Sequence, residues 1–139
     1  MIKDAFKKAI VGLFSMLPMI LGIILLLGIF DTYVTNEMLS SIFISNNFVD
    51  SIIGTSMGAV LTGNPMISYI LGGELTDSGV SLYAVTAFIL SWVTLGFVQL
   101  PAEVEVFGAR FTFYRTLFAF ISTLIISIST VATVNWIQS

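Results

Sequence analysis

The chain has 139 residues, of which 57% are hydrophobic and only 9% are charged. About a quarter of the residues of a soluble domain are charged, so this composition is typical of a membrane protein. Five Lys and Arg residues are too few for a nucleic-acid surface, and no nucleic-acid partner is expected. The sequence contains no Cys and no His, which excludes disulfides, thiol and imidazole chemistry and Cys/His metal sites. We therefore expect no cofactor and no bound metal.

The first predicted element is a membrane-spanning helix at residues 9–30. These 22 residues carry no charge. At about 1.5 Å per residue they form a helix of roughly 33 Å, enough to cross a hydrocarbon core of about 30 Å. We interpret the run as a span rather than a cleaved signal peptide, because it is long and no small-x-small cleavage pattern follows it.

The next region, residues 42–75, is apolar but interrupted, and two structures are compatible with it. Asn46, Asn47 and Asp50 interrupt its first part, and Gly63-Asn64-Pro65 interrupts its centre. One possibility is a single span followed by a short surface helix. The other, which we favour, is a helical hairpin that enters the membrane, turns at the central break and returns to the side it came from. Irregular backbone at membrane depth requires cover by protein or by a water-filled cavity.

Two further uncharged runs predict full spans, at residues 80–100, closed by Pro101, and at residues 117–137. The predicted fold is therefore all-α. It is a single transmembrane domain over residues 1–139, a polytopic helical bundle with three full spans and a broken, re-entrant helical hairpin.

The cations predict the topology of this bundle. Lys3, Lys7 and Lys8 precede the first span, so the N-terminus is expected on the cytoplasmic side. A re-entrant hairpin brings Arg110 and Arg115 to the same side, in agreement with the positive-inside tendency, whereas a crossing segment places them outside. We expect a multi-pass protein of the cytoplasmic (inner) membrane, embedded in the lipid bilayer.

Asp50 is the first candidate functional residue. Carboxylates inside a membrane are costly and usually face a partner or water, so Asp50 and its neighbour Asn47 are candidates for a solute or ion pathway. The alternative is that a helix begins nearby and that Asn46, Asn47 and Asp50 form a cap at the membrane interface.

Small and polar residues recur at spacings of three to four along the same segment, namely Asn47, Ser51, Gly54, Gly58 and Thr62. Gly54 and Gly58 form a GxxxG pair, which lets another helix approach closely, within the bundle or across a dimer. A polar lumen along this stripe is the functional alternative.

The Gly63-Asn64-Pro65 break is the strongest local signal for a site. A helix that begins at Pro65 with Asn64 as its N-cap directs its positive dipole end into the protein, and such discontinuous helices form substrate sites in many transporters. Ser68 and Tyr69 follow within two turns and can add hydroxyl contacts. The alternative is an ordinary turn at the membrane surface.

The segment from residue 99 to residue 115 contains charges of both signs. We expect Glu103, Arg110 and Arg115 to form a salt-bridged corner between two helices. Glu103 is also a candidate titratable group for ion coupling. Glu103 and Glu105 lack the further positioned groups that acid-base catalysis requires, so we predict no catalytic residue and no enzymatic activity.

Several of these motifs resemble a family of predicted prokaryotic permeases related to the organoarsenical efflux permeases. The similarity covers about residues 50–118 and consists of Gly63-Asn64-Pro65, Gly72-Gly73-Glu74-Leu75, Ala87-Phe88 to Trp92, Leu100-Pro101-Ala102-Glu103, Gly108-Ala109-Arg110-Phe111 and Arg115. It implies a multi-span permease whose full-length members contain two related halves. The chain therefore resembles one repeat, expected to pair with itself or with a sister half-size subunit. Because Cys is absent, thiol-based arsenic recognition cannot operate, and the small solute stays unspecified.

The predicted function is a half-size permease subunit that moves a small solute or ion as a homodimer or heterodimer, with the Asn64-Pro65 break as the substrate contact. If all cations share one side, the two copies are parallel. A non-transporting membrane assembly or scaffold subunit is the first alternative. A gate-type nucleoside-recognition membrane protein is the second.

Overall fold

The computed structural model describes residues 2–33, 35, 38, 41–61 and 63–139, and these residues form helices without any strand. The all-α prediction is confirmed over this part of the chain. The helices are α1 (Ile2–Tyr33), α2 (Asn47–Val60), α3 (Pro65–Asp77), α4 (Leu82–Thr94), α5 (Leu100–Phe107) and α6 (Ala109–Gln138), with a 3-10 turn at Phe97–Gln99.

The chain divides into two compact units, residues 1–35 and 36–139. The first unit contains α1, which includes the predicted span at residues 9–30 and continues through Pro18. The second unit contains the remaining helices and all the candidate functional residues. A single domain over residues 1–139 therefore stays a prediction.

Two helical stretches among the described residues are long and apolar enough to cross a membrane, Leu82–Phe107 and Ala109–Gln138. Length and composition alone define them, and three full spans were expected. The third, residues 9–30, lies in α1, some of whose side chains fall outside the described part of the chain. A bundle with three spans therefore stays a prediction.

The second unit is built around α4, against which α2, α3 and α6 all pack. Ala84, Ala87, Phe88 and Trp92 are almost completely buried, and the Phe88 and Trp92 rings meet edge to face with 5.3 Å between their centres. Helix α6 presents Thr123, Ser127 and Val131, which are buried at a spacing of four residues along one face. The core therefore lies on α4.

Helices α2 and α3 form a hairpin on α4. Gly54 of α2 lies against Ala84, and Gly58, one turn later, lies against Phe88, so α2 and α4 run parallel. Gly63, in the turn after α2, lies beside Trp92 near the C-terminal end of α4. Further along the chain, α3 returns toward the start of α4, where Gly72 contacts the side chains of Val85 and Ile89. The two arms of the hairpin are therefore antiparallel.

The predicted span at residues 80–100 is divided in the structure. Helix α4 ends at Thr94, and Gly96 takes a positive φ of 27° before the 3-10 turn. Pro101 was expected to close a helix, but it lies in the first turn of α5, where its missing N–H costs no hydrogen bond. The last predicted span, residues 117–137, lies within the longer helix α6.

Candidate functional site

The start of α2 is held by Asn46. Its side-chain oxygen accepts hydrogen bonds from the backbone N–H groups of Phe48 at 3.1 Å and Val49 at 3.3 Å, which makes it the N-cap. Asn47 is the first helical residue and is exposed. The cap therefore involves Asn46 and leaves the side chain of Asn47 at the surface.

Asp50 lies in the first turn of α2 and is completely buried, with 0% of its surface exposed. Its Oδ1 accepts a hydrogen bond from the backbone N–H of Ile44 at 3.1 Å. Its Oδ2 is also buried and has no hydrogen-bond partner among the described residues. A buried polar oxygen without a partner is costly, so Asp50 combines a structural bond with an unsatisfied atom.

A short segment, residues 43–46, lies next to Asp50. Phe43 is buried, whereas Ile44, Ser45 and Asn46 are exposed. Ser45 has a φ of 57°, in the left-handed region that residues other than glycine adopt infrequently. Asp50 is therefore hydrogen-bonded directly to a residue at the protein surface.

Gly54 and Gly58 both lie against α4, and this contact between the two helices is the glycine seam. A Cβ atom on Gly54 would lie 2.9 Å from the carbonyl carbon of Ala84, and one on Gly58 would lie 3.1 Å from that of Phe88. The carbonyl oxygens of both residues and the Oγ of Ser91 would lie closer still. The glycine pair therefore packs within the chain and is not free to form a dimer interface.

Ser51 in the stripe and the neighbouring Thr55 donate hydrogen bonds to the backbone of their own helix. Ser51 donates to the carbonyl of Asn47 at 2.8 Å, and Thr55 donates to that of Ser51 at 2.7 Å. At Gly54 and Gly58 this face is closely packed on α4, as the helix-packing interpretation of the stripe expects, and the polar lumen was its alternative. Thr62, the last member of the stripe, lies outside the described residues.

The predicted substrate contacts at the hairpin turn do not converge. Asn64 caps α3 by accepting the N–H of Met66 at 2.9 Å, with Pro65 as the first helical residue, and both are exposed. Ser68 is buried and donates to the carbonyl of Pro65 at 2.7 Å, whereas the Tyr69 side chain is 63% exposed. The N-terminus of α3 was expected to point into the protein, but in this unit its capping residue is at the surface.

The corner consists of Glu103 on α5, Arg115 on α6 and the carbonyl of Thr94. Nη1 of Arg115 lies 3.0 Å from one carboxylate oxygen of Glu103 and 3.1 Å from the other. Nη2 donates to the backbone carbonyl of Thr94 at 3.2 Å, so the guanidinium also caps the C-terminal end of α4. Arg110 was expected to share this pairing, but it is exposed and forms no ion pair within the described part of the chain.

Sequence reasoning missed two features of this corner. It did not predict the Thr94 carbonyl as an acceptor, because the end of α4 was expected further along the chain. It also missed the contact between the hydroxyls of Thr94 and Thr123, whose oxygens lie 3.3 Å apart. Gly96, two residues after Thr94, is the signal that could have indicated the helix end.

Comparison with known proteins identifies no relative. No protein-family model, no curated protein and no solved structure matches the chain. The resemblance to permeases stays a prediction carried by the sequence motifs. In the structure these motifs lie at the hairpin turn, within α3, within α4 and at the corner.

Proposed function

We propose that the chain is a half-size permease subunit of the cytoplasmic membrane, which moves a small solute or ion as a dimer. The observation that carries this proposal is the antiparallel hairpin of α2 and α3 on α4. A hairpin of this kind is a means of bringing a helix break, here Gly63-Asn64-Pro65, to membrane depth.

The lengths of the two arms support a re-entrant hairpin. Helix α2 has 14 residues and α3 has 13. At about 1.5 Å per residue each arm is about 20 Å long, which is shorter than a hydrocarbon core of about 30 Å. Neither arm crosses alone, and because they are antiparallel the chain returns to the side from which it entered.

The surface of α6 supports a lipid environment. Most of this helix is not buried in the structure, although it is strongly apolar. Its exposed large hydrophobic residues are Phe111, Phe113, Tyr114, Leu117, Phe118, Ile121, Ile125, Ile126, Val134, Trp136 and Ile137. An apolar surface of this extent is unfavourable in water and suits the hydrocarbon core of a bilayer.

The hairpin turn is the reason for proposing a dimer. Asn64 and Pro65 are exposed at the end of the hairpin, so a solute bound there needs a second subunit to enclose it. A second copy or a sister half-size subunit would supply that enclosure, in line with the two related halves that the resemblance implies.

A scaffold subunit without transport activity is the second candidate. Its support is the set of buried hydroxyls that donate to the backbone of their own helix, since such residues pack helices without any solute. The two candidates differ in whether the turn at Asn64 contributes to flux.

The re-entrant hairpin is tested by cysteine accessibility, for which the cysteine-free chain is well suited. We expect Ser45→Cys and Asp77→Cys, at the two open ends of the hairpin, to react with an impermeant thiol reagent from the same side of the membrane. Glu105→Cys, on α5, should react from the opposite side. All three positions are exposed in the structure.

A crossing segment gives a different labelling pattern. Ser45→Cys and Asp77→Cys would then react from opposite sides, and Glu105→Cys would react from the side of Ser45→Cys. That result would contradict the re-entrant hairpin and remove the main support for the permease. The unmodified chain, which has no thiol, is the control for background labelling.

A further inference from the structure

The first turns of α1 carry most of the positive charge of the protein. Lys3, Lys7 and Lys8 are three of its five cations, and all three are exposed. Asp4 is the only acid among the first 30 residues. Within the described part of the chain, neither Lys3 nor Lys7 forms an ion pair. Their two ammonium groups are therefore available to an anion outside the chain.

Lys3 and Lys7 lie one turn apart on the same side of α1 and line a groove, which we call the lysine groove. The groove has a volume of about 530 Å³, and Phe6, Ile10 and Val11 complete its lining. These five residues follow the i, i+3, i+4, i+7, i+8 spacing of one continuous helix face. Phe6 is 66% exposed and Val11 is 59% exposed, so the groove is open to its surroundings. It combines two positive charges with an apolar wall.

The same face of α1 continues as an apolar surface beyond the groove. Phe14, Leu17 and Leu21 follow at spacings of three to four residues, and all three are exposed. From Lys7 to Leu17 the helix rises by about 15 Å, at about 1.5 Å per residue. This rise equals about half of a hydrocarbon core that is about 30 Å thick, which is one leaflet. Along this face the charges therefore come first, and an apolar surface as long as one leaflet follows them.

An anionic phospholipid has its charge and its apolar part in the same order. Its phosphate suits the two lysines, and its acyl chain suits the apolar wall and the surface that continues from it. A free anion would use the lysines but leave the apolar wall uncovered. In a parallel pair of copies joined through this face, the lysines of both chains would meet, and like charges repel. Charge complementarity and apolar contact together therefore favour a lipid.

We propose that the lysine groove binds an anionic phospholipid of the cytoplasmic leaflet. Lys3 and Lys7 hold the phosphate of the headgroup, and an acyl chain lies along Phe6, Ile10 and Val11. The cytoplasmic leaflet is the negatively charged one, and the lysines predict that the N-terminus is on that side. The lipid fixes the depth of α1 at the membrane surface. This inference goes beyond the permease proposal, because the lipid is bound whether or not a solute moves.

The experiment is native mass spectrometry of the full chain in micelles of a neutral detergent. Phosphatidylglycerol, which is anionic, and phosphatidylcholine, which is zwitterionic, are added in turn with identical acyl chains. A neutral micelle has no charged surface, so contacts with the protein alone decide which lipid binds more tightly. Each lysine is expected to contribute about fivefold to the affinity, so phosphatidylglycerol should bind about 25-fold more tightly. The preference should decrease as the salt concentration rises.

Lys3→Gln and Lys7→Gln should each lower the preference about fivefold, and the double variant should abolish it. Lys8→Gln is the matched control, because Lys8 is exposed on the same helix but is not among the described residues that line the groove. It should keep the preference. An equal loss in Lys8→Gln would assign the preference to net charge, and no preference in the unmodified chain would remove the site. All three positions are exposed, so the variants should retain the fold.

Two further results would assign the groove to another occupant. Glycerol phosphate has the headgroup charge without acyl chains, and if it displaced phosphatidylglycerol at equal concentration, the groove would be an anion site only. Disulfide cross-linking of Val11→Cys between two copies, unchanged by phosphatidylglycerol, would assign the groove to a second copy. None of these measurements involves flux. A failure of the lipid site therefore leaves the permease proposal standing, and a crossing segment at the hairpin leaves the lipid site standing.

Discussion

The two ends of α4 lie next to two acids with opposite surroundings. At the C-terminal end, Glu103 is 19% exposed, and both of its oxygens lie close to the guanidinium of Arg115. Level with the N-terminal end, Asp50 is 0% exposed, and only one of its oxygens is hydrogen-bonded. Glu103, the more exposed acid, is therefore in an ion pair, whereas Asp50, the more buried acid, has among the described residues a hydrogen bond from Ile44 only.

This difference separates a structural acid from a functional candidate. Glu103 and Arg115 satisfy each other and join α5, α6 and the end of α4, so the corner needs no ligand. Asp50 has an unsatisfied oxygen that helix packing does not explain, and such exceptions to hydrogen-bond pairing are where function is expected. Of the two predicted coupling residues, Asp50 is therefore the better candidate.

The glycine seam, which holds α2 along α4 and so fixes the level of Asp50, should show the largest effect of mutation. Gly58→Ala places a methyl group against the carbonyl of Phe88 and the Oγ of Ser91. We expect the free energy of unfolding to fall by about 3 kcal/mol, at the upper end of the usual cost of overpacking. Reversible unfolding in mixed micelles, followed by circular dichroism, measures this change.

Gly73→Ala is the matched control for the seam. Gly73 also lies in a helix, but no atom lies within 4 Å of the position where its Cβ would be. Its replacement should leave stability unchanged or raise it by up to about 1 kcal/mol, since alanine favours the helix. Equal stabilities for the two variants would contradict the close approach of α2 and α4.

The next prediction compares the two acids directly. Glu103→Gln removes the counter-charge of Arg115, and for a partly exposed pair we expect a loss of about 2 kcal/mol in the free energy of unfolding. Asp50→Asn keeps an acceptor for the N–H of Ile44 and removes no ion pair, so we expect a loss of about 1 kcal/mol or less. The same unfolding assay measures both.

Arg110→Gln is the control for the corner, because Arg110 is exposed and has no ion pair among the described residues. It should leave stability unchanged. If Asp50→Asn proved more destabilising than Glu103→Gln, the contrast between the two ends of α4 would be wrong.

The hairpin break was predictable because its chemistry is local. Asn64 accepts an N–H two residues away, and Pro65 has the φ angle and the missing donor that suit the first position of a helix. These properties depend on neighbouring residues only. The break between α2 and α3 therefore follows from the order of Gly63, Asn64 and Pro65.

The contacts at the corner and the burial of Asp50 were not predictable, because they depend on distant parts of the chain. The end of α4 is capped by Arg115, which lies 21 residues beyond Thr94. The choice between Arg110 and Arg115 depends on how Gly108, with a φ of 85°, turns the chain between α5 and α6. Whether Asp50 is a surface cap or a buried acid depends on where α4 packs.

The smallest expected effect concerns the two helix caps, and it separates the permease from the scaffold. Asn46→Ala and Asn64→Ala each remove an N-cap, of α2 and of α3, and each should lower the free energy of unfolding by about 1 kcal/mol. The unfolding assay measures the structural loss of each variant, and a difference in proton flux beyond that loss reports on function. Proton entry into proteoliposomes, driven by a potential set by potassium and valinomycin and reported by a pH-sensitive dye inside the vesicles, measures this flux.

For a permease with its solute contact at the turn, Asn64→Ala should reduce flux several-fold more than Asn46→Ala does. For a scaffold, the two variants should behave alike, because each cap would then contribute only to folding. The comparison also tests whether the start of α2 contributes to flux, because Asp50 follows the Asn46 cap by one turn. A larger loss of flux in Asn46→Ala would place the functional site at the start of α2, and the hairpin turn would then have a structural role only.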